Sequence, residues 1–264
     1  FTQLDKALLS RLIDLESFGH YMLAALLVGG LAVITTPAFN VLYPKFTTLH
    51  ARGDDAGLAK FYSDTSRMFA AAVFSLALAL ALHVEAIVTL WTGRADVAVR
   101  VAPLVALLAV GSALNGLMYF PYALQLATGR PRIPFAINVA LLVIALPTIV
   151  WLALHQGAVG GALSWALLSV VYVVVGTFVT GRKVAGFAGP GWLARDIAIP
   201  LLLALLPALA GAWITRALPM SSLAETAIAA VAACIGIAAG ALYSPYARQQ
   251  VLAFVRVRAR PCPN

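Results

Sequence analysis

Seven apolar segments follow one another along this chain, and each is long enough for a helix to cross a membrane. A helix rises 1.5 Å per residue, so about 20 residues cover the ~30 Å hydrocarbon core of a bilayer. The composition agrees, with 62% hydrophobic residues, 11% charged residues and a mean hydropathy of +0.94. A soluble domain carries about 25% charged residues. The sequence therefore predicts an all-α, polytopic transmembrane helical bundle.

The boundaries of the segments follow from signals that contain glycine, proline and paired charges. Residues 1–14 are predicted to be the end of a truncated helix, because the chain starts at Phe1 without a methionine. A tight turn is predicted at residues 16–19. The seven complete spans are predicted at 18–50, 58–82, 97–127, 133–154, 158–180, 193–217 and 223–243.

The cations fall mainly in alternate loops. Of the 18 lysines and arginines, thirteen lie on one predicted side of the membrane and five on or toward the other. Cytoplasmic loops are enriched in cations, so the first side is predicted to be cytoplasmic and to carry the C-terminus. The net charge of +8 then favours anionic membrane lipids as partners over nucleic acid. The basic tail 247–264 fits either an interfacial helix or an ordinary topology-setting tail.

Asp5 and Lys6 form the most informative polar pair. Asp5 lies about nine residues before Asp14, at the predicted outer end of its helix, which places it ~14 Å deep, near the bilayer midplane. Ionisable groups at that depth cost at least ~2.5 kcal/mol and normally face a cavity or a partner. One interpretation is ligand binding or ion coupling, and the other is a structural salt bridge to another helix.

A polar and aromatic stripe in the span 97–127 is the second signal. Ser112, Asn115, Tyr119 and Tyr122 recur at helical spacing, and Gln125 adjoins them. Hydroxyls, an amide and aromatic faces on one side of a helix suit a sugar, which has polar rims and apolar ring faces. Interhelical hydrogen bonds, worth roughly 0.6 kcal/mol each, explain the same stripe. A similar stripe in the span 18–50, with the same two interpretations, comprises Thr36, Asn40 and Tyr43.

The remaining polar residues have simpler interpretations. Arg67 lies where its span enters the membrane, and it either faces a cavity that attracts an anionic substrate or snorkels to the interface. His83 and Glu85 are predicted at a solvated rim near Trp91. The sequence has no Gly-x-Ser-x-Gly, no Walker-type loop and no cluster of histidines and carboxylates at metal spacing. Neither an enzyme nor a metal or cofactor site is predicted.

Several short motifs keep their order and spacing over about residues 1–180. They are Thr2-Gln3-Leu4-Asp5-Lys6, Phe18-Gly19-His20-Tyr21-Met22-Leu23-Ala24, Pro44-Lys45-Phe46 with Gly53-Asp54, Leu90-Trp91-Thr92-Gly93, Leu126-Ala127-Thr128-Gly129-Arg130, Asn138, and Gly157-Ala158-Val159-Gly160-Gly161-Ala162. Together they resemble the C-terminal lobe of Wzx-type polysaccharide flippases, which belong to the multidrug/oligosaccharidyl-lipid/polysaccharide (MOP) exporter superfamily.

The resemblance implies a MATE/MOP-like C-terminal lobe over residues 1–180, two extra transmembrane helices over 181–246 and a cytoplasmic tail over 247–264. It implies a flippase in the bacterial inner membrane that moves an undecaprenyl-diphosphate-linked oligosaccharide by alternating access. The implied partners are the N-terminal lobe of the same protein, a polysaccharide polymerase and glycosyltransferases. Lys6 and Arg67 become the cationic candidates, and Asp5 becomes the candidate for H⁺ or Na⁺ coupling. A MATE-type drug/cation antiporter and a non-transporting scaffold subunit are the rival functions.

Overall fold

Helices account for almost all of residues 3–244, which are the residues that the computed structural model of this protein describes. No strand occurs among them. The helices are α1 (Leu4–Leu12), α2 (Leu15–Gly29), α3 (Ala32–Ala51), α4 (Asp55–Leu82), α5 (Val84–Thr92), α6 (Ala95–Leu117), α7 (Tyr119–Ala127), α8 (Arg132–Lys183), α9 (Pro190–Trp192), α10 (Ala198–Ala217) and α11 (Ser222–Tyr243). A π-turn, Leu193–Ile197, joins α9 to α10. The predicted basic tail lies outside the described residues.

Within residues 3–244, five helical stretches are long and apolar enough to cross a membrane. The bent pair formed by α2 and α3 makes a sixth if it is taken as one span. The all-α prediction is therefore confirmed for the described residues, and the long apolar helices are compatible with a multi-pass membrane bundle.

α8 is two helices that meet at Gly157. This residue has φ 59° and ψ −137°, a conformation that glycine adopts and other residues avoid. The chain doubles back at Gly157 and brings Gly160 against the backbone of Leu152. A Cβ added to Gly160 would collide with the Leu152 carbonyl group, so the close approach of the two halves requires glycine at this position. A straight helix of 52 residues would be about 78 Å long, more than twice the thickness of the hydrocarbon core. The break lies between the predicted spans 133–154 and 158–180.

The first turn differs from the prediction. Residues 16–19 are helical, and the chain turns at Ile13 and Asp14 instead. The Asp14 carboxylate accepts a hydrogen bond from the Ser17 backbone N–H at 2.8 Å and so caps the start of α2. The predicted turn was wrong because this cap, rather than Gly19, decides where the helix begins.

Two predicted spans are interrupted. The span 18–50 bends by 47° between α2 and α3, at the pair Gly29 and Gly30, and glycine pairs are a common cause of such kinks. The span 97–127 is interrupted at Met118, between α6 and α7. Pro121 has no N–H to bond the Leu117 carbonyl, so the helix loses one hydrogen bond there.

α10 and α11 pack against α4 and against each other. Small residues allow the close approach: a Cβ on Gly240 would collide with Ala71, and one on Gly236 would collide with Ser75. α1 packs instead against α2 and α8. The candidate site lies on that side of the bundle.

Candidate functional site

α1 is held against the second half of α8. Leu9 is fully buried, and a Cβ on Gly161 would come within 2.6 Å of Leu9 Cδ1. The missing side chain at Gly161 therefore lets the two helices approach closely. Asp5 and Lys6 lie about one helical turn before Leu9, so this contact sets their position.

A cavity of about 350 Å³ opens between α1, α2, α3, α6 and α8. Its volume is within the usual range of roughly 300–1,000 Å³ for small-molecule sites. We call it the ionic cavity. Its polar and aromatic lining comprises Gln3, Asp5, Lys6, Tyr21, Thr35, Ser112, Asn115, Tyr119 and Trp165. The two strongest signals of the sequence, the pair at the start of the chain and the stripe on α6, thus line the same space.

The Asp5 carboxylate is half satisfied. The hydroxyl of Tyr21, which is fully buried, donates a hydrogen bond to Asp5 Oδ2 at 2.5 Å. The other oxygen, Oδ1, is buried and has no hydrogen-bond partner among residues 3–244. Lys6 forms no salt bridge with another residue in that range. The predicted alternative of a structural salt bridge to another helix is therefore not observed in this part of the chain.

The stripe on α6 and α7 continues from the ionic cavity into a second cavity of about 210 Å³. We call this second space the aromatic cavity. It lies between α6, α7 and both halves of α8, and its polar and aromatic lining comprises Asn115, Tyr119, Tyr122, Asn138, Trp165, Ser169 and Tyr172. Because Asn115, Tyr119 and Trp165 line both cavities, the two spaces adjoin.

Three predicted binding residues lie outside both cavities. Gln125 is buried, and its Nε2 donates a hydrogen bond to Thr180 Oγ1 at 2.7 Å, as the helix-packing interpretation predicts. Arg67 is neither a cavity residue nor a snorkelling cation, since its Nε lies 2.8 Å from Asp196 Oδ1. Asn40 is exposed on α3 and lines neither cavity.

His83 is buried rather than part of a solvated rim, which corrects the prediction. It is only 3% exposed, and its Nε2 is buried without a partner among residues 3–244. Its Nδ1 lies 3.3 Å from the Ala79 carbonyl oxygen. Gly211 of α10 packs beside the imidazole ring, and this cover from a distant helix is not visible in the local sequence.

Trp165 and Tyr21 are among the cavity residues that the sequence analysis missed, as are Ser169 and Tyr172. Trp165 Nε1 donates a hydrogen bond to Ser112 Oγ at 3.2 Å, and the indole edge packs where a side chain on Gly111 would collide with it. Both contacts of Trp165 join α8 to α6, which is distant in sequence, and the contact of Tyr21 with Asp5 joins α2 to α1 across the turn at Asp14. Neither residue belongs to a polar stripe of its own, so the sequence carries no local signal for them.

Exposed charges surround the turn between α1 and α2. The hydrogen bond from the Ser17 backbone N–H lowers the pKa of the Asp14 carboxyl below its ordinary value. Arg100 of α6 pairs with Glu16 of α2. No group of histidine, cysteine, aspartate and glutamate within the described residues is arranged to hold a metal ion.

Comparison with models of protein families, with curated proteins and with solved structures finds no match to this chain. The class of the protein rests on its own geometry: an apolar helical bundle that encloses a polar cavity with an unpaired carboxylate oxygen and a lysine.

Proposed function

We propose that this protein is a flippase that moves an undecaprenyl-diphosphate-linked oligosaccharide across the bacterial inner membrane by alternating access. The observation that carries the proposal is the ionic cavity, where Asp5 and Lys6 meet Asn115 and Tyr119 inside an apolar bundle. Ionisable groups at membrane depth are costly, and they commonly mark the path of an ion or a substrate.

In this proposal each side chain has a distinct role. Lys6 attracts the diphosphate, since an ammonium group makes charge-assisted hydrogen bonds to phosphate oxygens. Asp5 binds H⁺ or Na⁺ through its unpaired oxygen, and this neutralises a negative charge beside Lys6. The attraction of the cavity for an anionic substrate then changes with the occupancy of Asp5.

The interrupted helices support a transport function. Discontinuous helices near the midplane are a recurring feature of substrate sites in transporters. The break between α2 and α3 places Gly29 and Leu31 in the wall of the ionic cavity, and Met118, between α6 and α7, lines the aromatic cavity.

The proposal includes the topology. Taking α2 with α3 as one span, and each half of α8 as one span, gives seven complete spans after α1. Residues 1–180 are then a MOP-type lobe and residues 181–246 two extra helices. The C-terminus is cytoplasmic, no enzymatic activity is expected, and the N-terminal lobe of the same protein closes the transport path. Membrane lipids, a polysaccharide polymerase and glycosyltransferases are the proposed partners.

A MATE-type drug/cation antiporter is the second candidate. The buried, unpaired Oδ1 of Asp5 favours it, because a carboxylate at membrane depth suits an organic cation. Lys6 opposes it, because the ammonium group repels such a cation in the same cavity.

The test is transport by the intact protein in liposomes. Transfer of labelled undecaprenyl-diphosphate oligosaccharide between leaflets is measured beside efflux of an organic cation. We expect glycolipid transfer without cation efflux, and a loss of roughly tenfold or more in Asp5→Ala and Lys6→Ala. Asp55→Ala and Lys60→Ala, which are exposed on α4, are the matched controls. Cation efflux alone identifies an antiporter, and neither activity in folded protein favours the scaffold subunit.

A further inference from the structure

The aromatic cavity contains polar side chains that the protein itself leaves unpaired. The amides of Asn115 and Asn138 and the hydroxyls of Tyr119, Tyr122 and Tyr172 make no hydrogen bond with another group of residues 3–244. These side chains line the cavity and none of them is fully buried, so their donors and acceptors are open to an occupant. A ligand that offers many donors and acceptors in a small volume matches them.

The aromatic walls of this cavity are fixed in place. Phe39 of α3 packs against Tyr119 and Tyr122, with ring centroids 5.9 Å and 5.6 Å apart. Trp165 is held against α6 by two contacts, its hydrogen bond to Ser112 and its close approach to Gly111. Rings held in one orientation lose little conformational entropy when a ligand binds.

Amides, phenol hydroxyls and an indole around one space match the chemistry of a pyranose ring. The equatorial hydroxyls of such a ring accept and donate hydrogen bonds, as amides and phenols do. Its C–H faces are apolar and pack on aromatic rings. The aromatic cavity holds no charged side chain in its lining, which separates it from the ionic cavity next to it.

We infer that the aromatic cavity is a sugar subsite that binds one pyranose ring, with Trp165 as its wall and Asn115, Asn138 and Tyr172 as hydrogen-bonding residues. The assignment of this ring to a lipid-linked glycan rests on the proposed function. The binding of a sugar in this cavity does not rest on the proposed function, because such binding is measurable in the absence of transport.

The test uses the purified protein in nanodiscs and saturation-transfer-difference NMR, which detects weak ligands. The probes are the methyl glycosides of glucose, galactose, rhamnose and N-acetylglucosamine. We expect a signal from at least one glycoside, and about tenfold weaker binding in Trp165→Leu and Asn138→Ala. Trp165→Phe keeps an aromatic face without the bond to Ser112, and so it retains part of the binding. Trp151→Leu is the matched control, because Trp151 is 59% exposed on the outside of α8.

The outcomes separate the two proposals. A missing signal with every glycoside in the folded protein, or an equal signal in the Trp165→Leu and Asn138→Ala variants, overturns the sugar subsite. Glycoside binding that depends on Trp165 and Asn138, without glycolipid transfer in liposomes, supports the subsite and contradicts the flippase. Glycolipid transfer that is unchanged in both variants overturns the assignment of this subsite to the lipid-linked glycan and leaves the flippase standing.

Discussion

At the scale of single residues, Asp5 combines one fixed oxygen with one open oxygen. Tyr21 donates the hydrogen bond that fixes Oδ2, and Oδ1 stays free for a cation or a proton. If Asp5 couples transport to an ion, as proposed, removing the Tyr21 hydroxyl changes the affinity of Asp5 for that ion without removing the carboxylate.

We expect Tyr21→Phe to lower glycolipid transfer by roughly tenfold, because a hydrogen bond to a charged group contributes about 1.5–3 kcal/mol. The diagnostic measurement is transfer as a function of Na⁺ concentration and of pH. The variant shifts the midpoint of one of these curves, whereas Tyr43→Phe, exposed on α3 and outside both cavities, does not. Unchanged midpoints in Tyr21→Phe would remove Asp5 from ion coupling.

Asp14 predicts a pH dependence of stability. Its pKa is lowered in the folded protein from an ordinary value of 3.8, so its contribution is complete at neutral pH and is lost as the pH falls below about 4. Asp14→Asn keeps a capping acceptor that does not titrate. We expect wild type to unfold at a higher temperature than Asp14→Asn at pH 7, and the difference to shrink as the pH falls from the ordinary pKa of 3.8 through the lowered pKa of the folded protein. A constant difference between pH 3 and pH 7 would contradict this account.

At the scale of elements, the turn inside α8 depends on Gly157. A non-glycine residue with φ 59° and ψ −137° is strained, typically by about 1–3 kcal/mol. We expect Gly157→Ala to lower the free energy of unfolding by that amount, measured by denaturant titration in detergent. Gly186→Ala is the control, because a Cβ added at Gly186 would have open space within 4 Å and the φ of this residue is not in the left-handed region.

The docking of α1 on α8 depends on Gly161. A Cβ at this position would lie 2.6 Å from Leu9 Cδ1, so Gly161→Ala forces Leu9 to move, at a cost of about 1–3 kcal/mol. Gly19→Ala, in open space on α2, has the opposite expected effect because alanine favours helix. Thermal unfolding of both variants tests this. If Leu9→Ala partly restores the stability of Gly161→Ala, the strain lies in the contact between these two residues. If Leu9→Ala restores none of it, the strain lies elsewhere.

At the scale of the whole molecule, Arg67 connects α4 to the π-turn before α10. Its Nε lies 2.8 Å from Asp196 Oδ1, its Nη1 lies 3.8 Å from Asp64 Oδ1, and it stacks over the Tyr243 ring of α11. The Asp196 side chain is 8% exposed and that of Arg67 19%. This network ties α10 and α11 to the rest of the bundle.

We expect Arg67→Ala to lower the free energy of unfolding by about 2 kcal/mol, because it leaves the buried Asp196 carboxylate without a cationic partner, with the hydrogen bond from the Ser63 hydroxyl still in place. The double variant Arg67→Met with Asp196→Leu recovers part of the loss. Arg94→Ala breaks an ion pair with Asp96 whose side chains are more than half exposed, and it serves as the near-neutral control. Equal unfolding curves for Arg67→Ala and Arg94→Ala would contradict the structural role of Arg67.

The part of the fold that follows from local rules was predictable from the sequence. Hydrophobicity and helix length predict the apolar helices, and the breaks between the predicted spans contain Gly93, Gly129 and Gly157, which have positive φ. The turn at Asp14, the bend between α2 and α3 and the burial of His83 escaped prediction. These features depend on which capping side chain or which distant helix completes the structure.

The residues of the candidate site likewise fall into two groups, those that stand out in the sequence and those that only the packing of the helices reveals. Asp5, Lys6 and the stripe on α6 stand out in the sequence because polar groups are costly in an apolar segment. Only the packing of α1 on α8 brings them into one cavity, because Leu9 meets Gly161 across more than half of the chain. The tertiary structure also adds Tyr21 and Trp165 to this cavity, and the packing of α7 on α8 pairs Gln125 with Thr180. The sequence alone determined which residues need a polar environment, and the tertiary structure decided which of them share one.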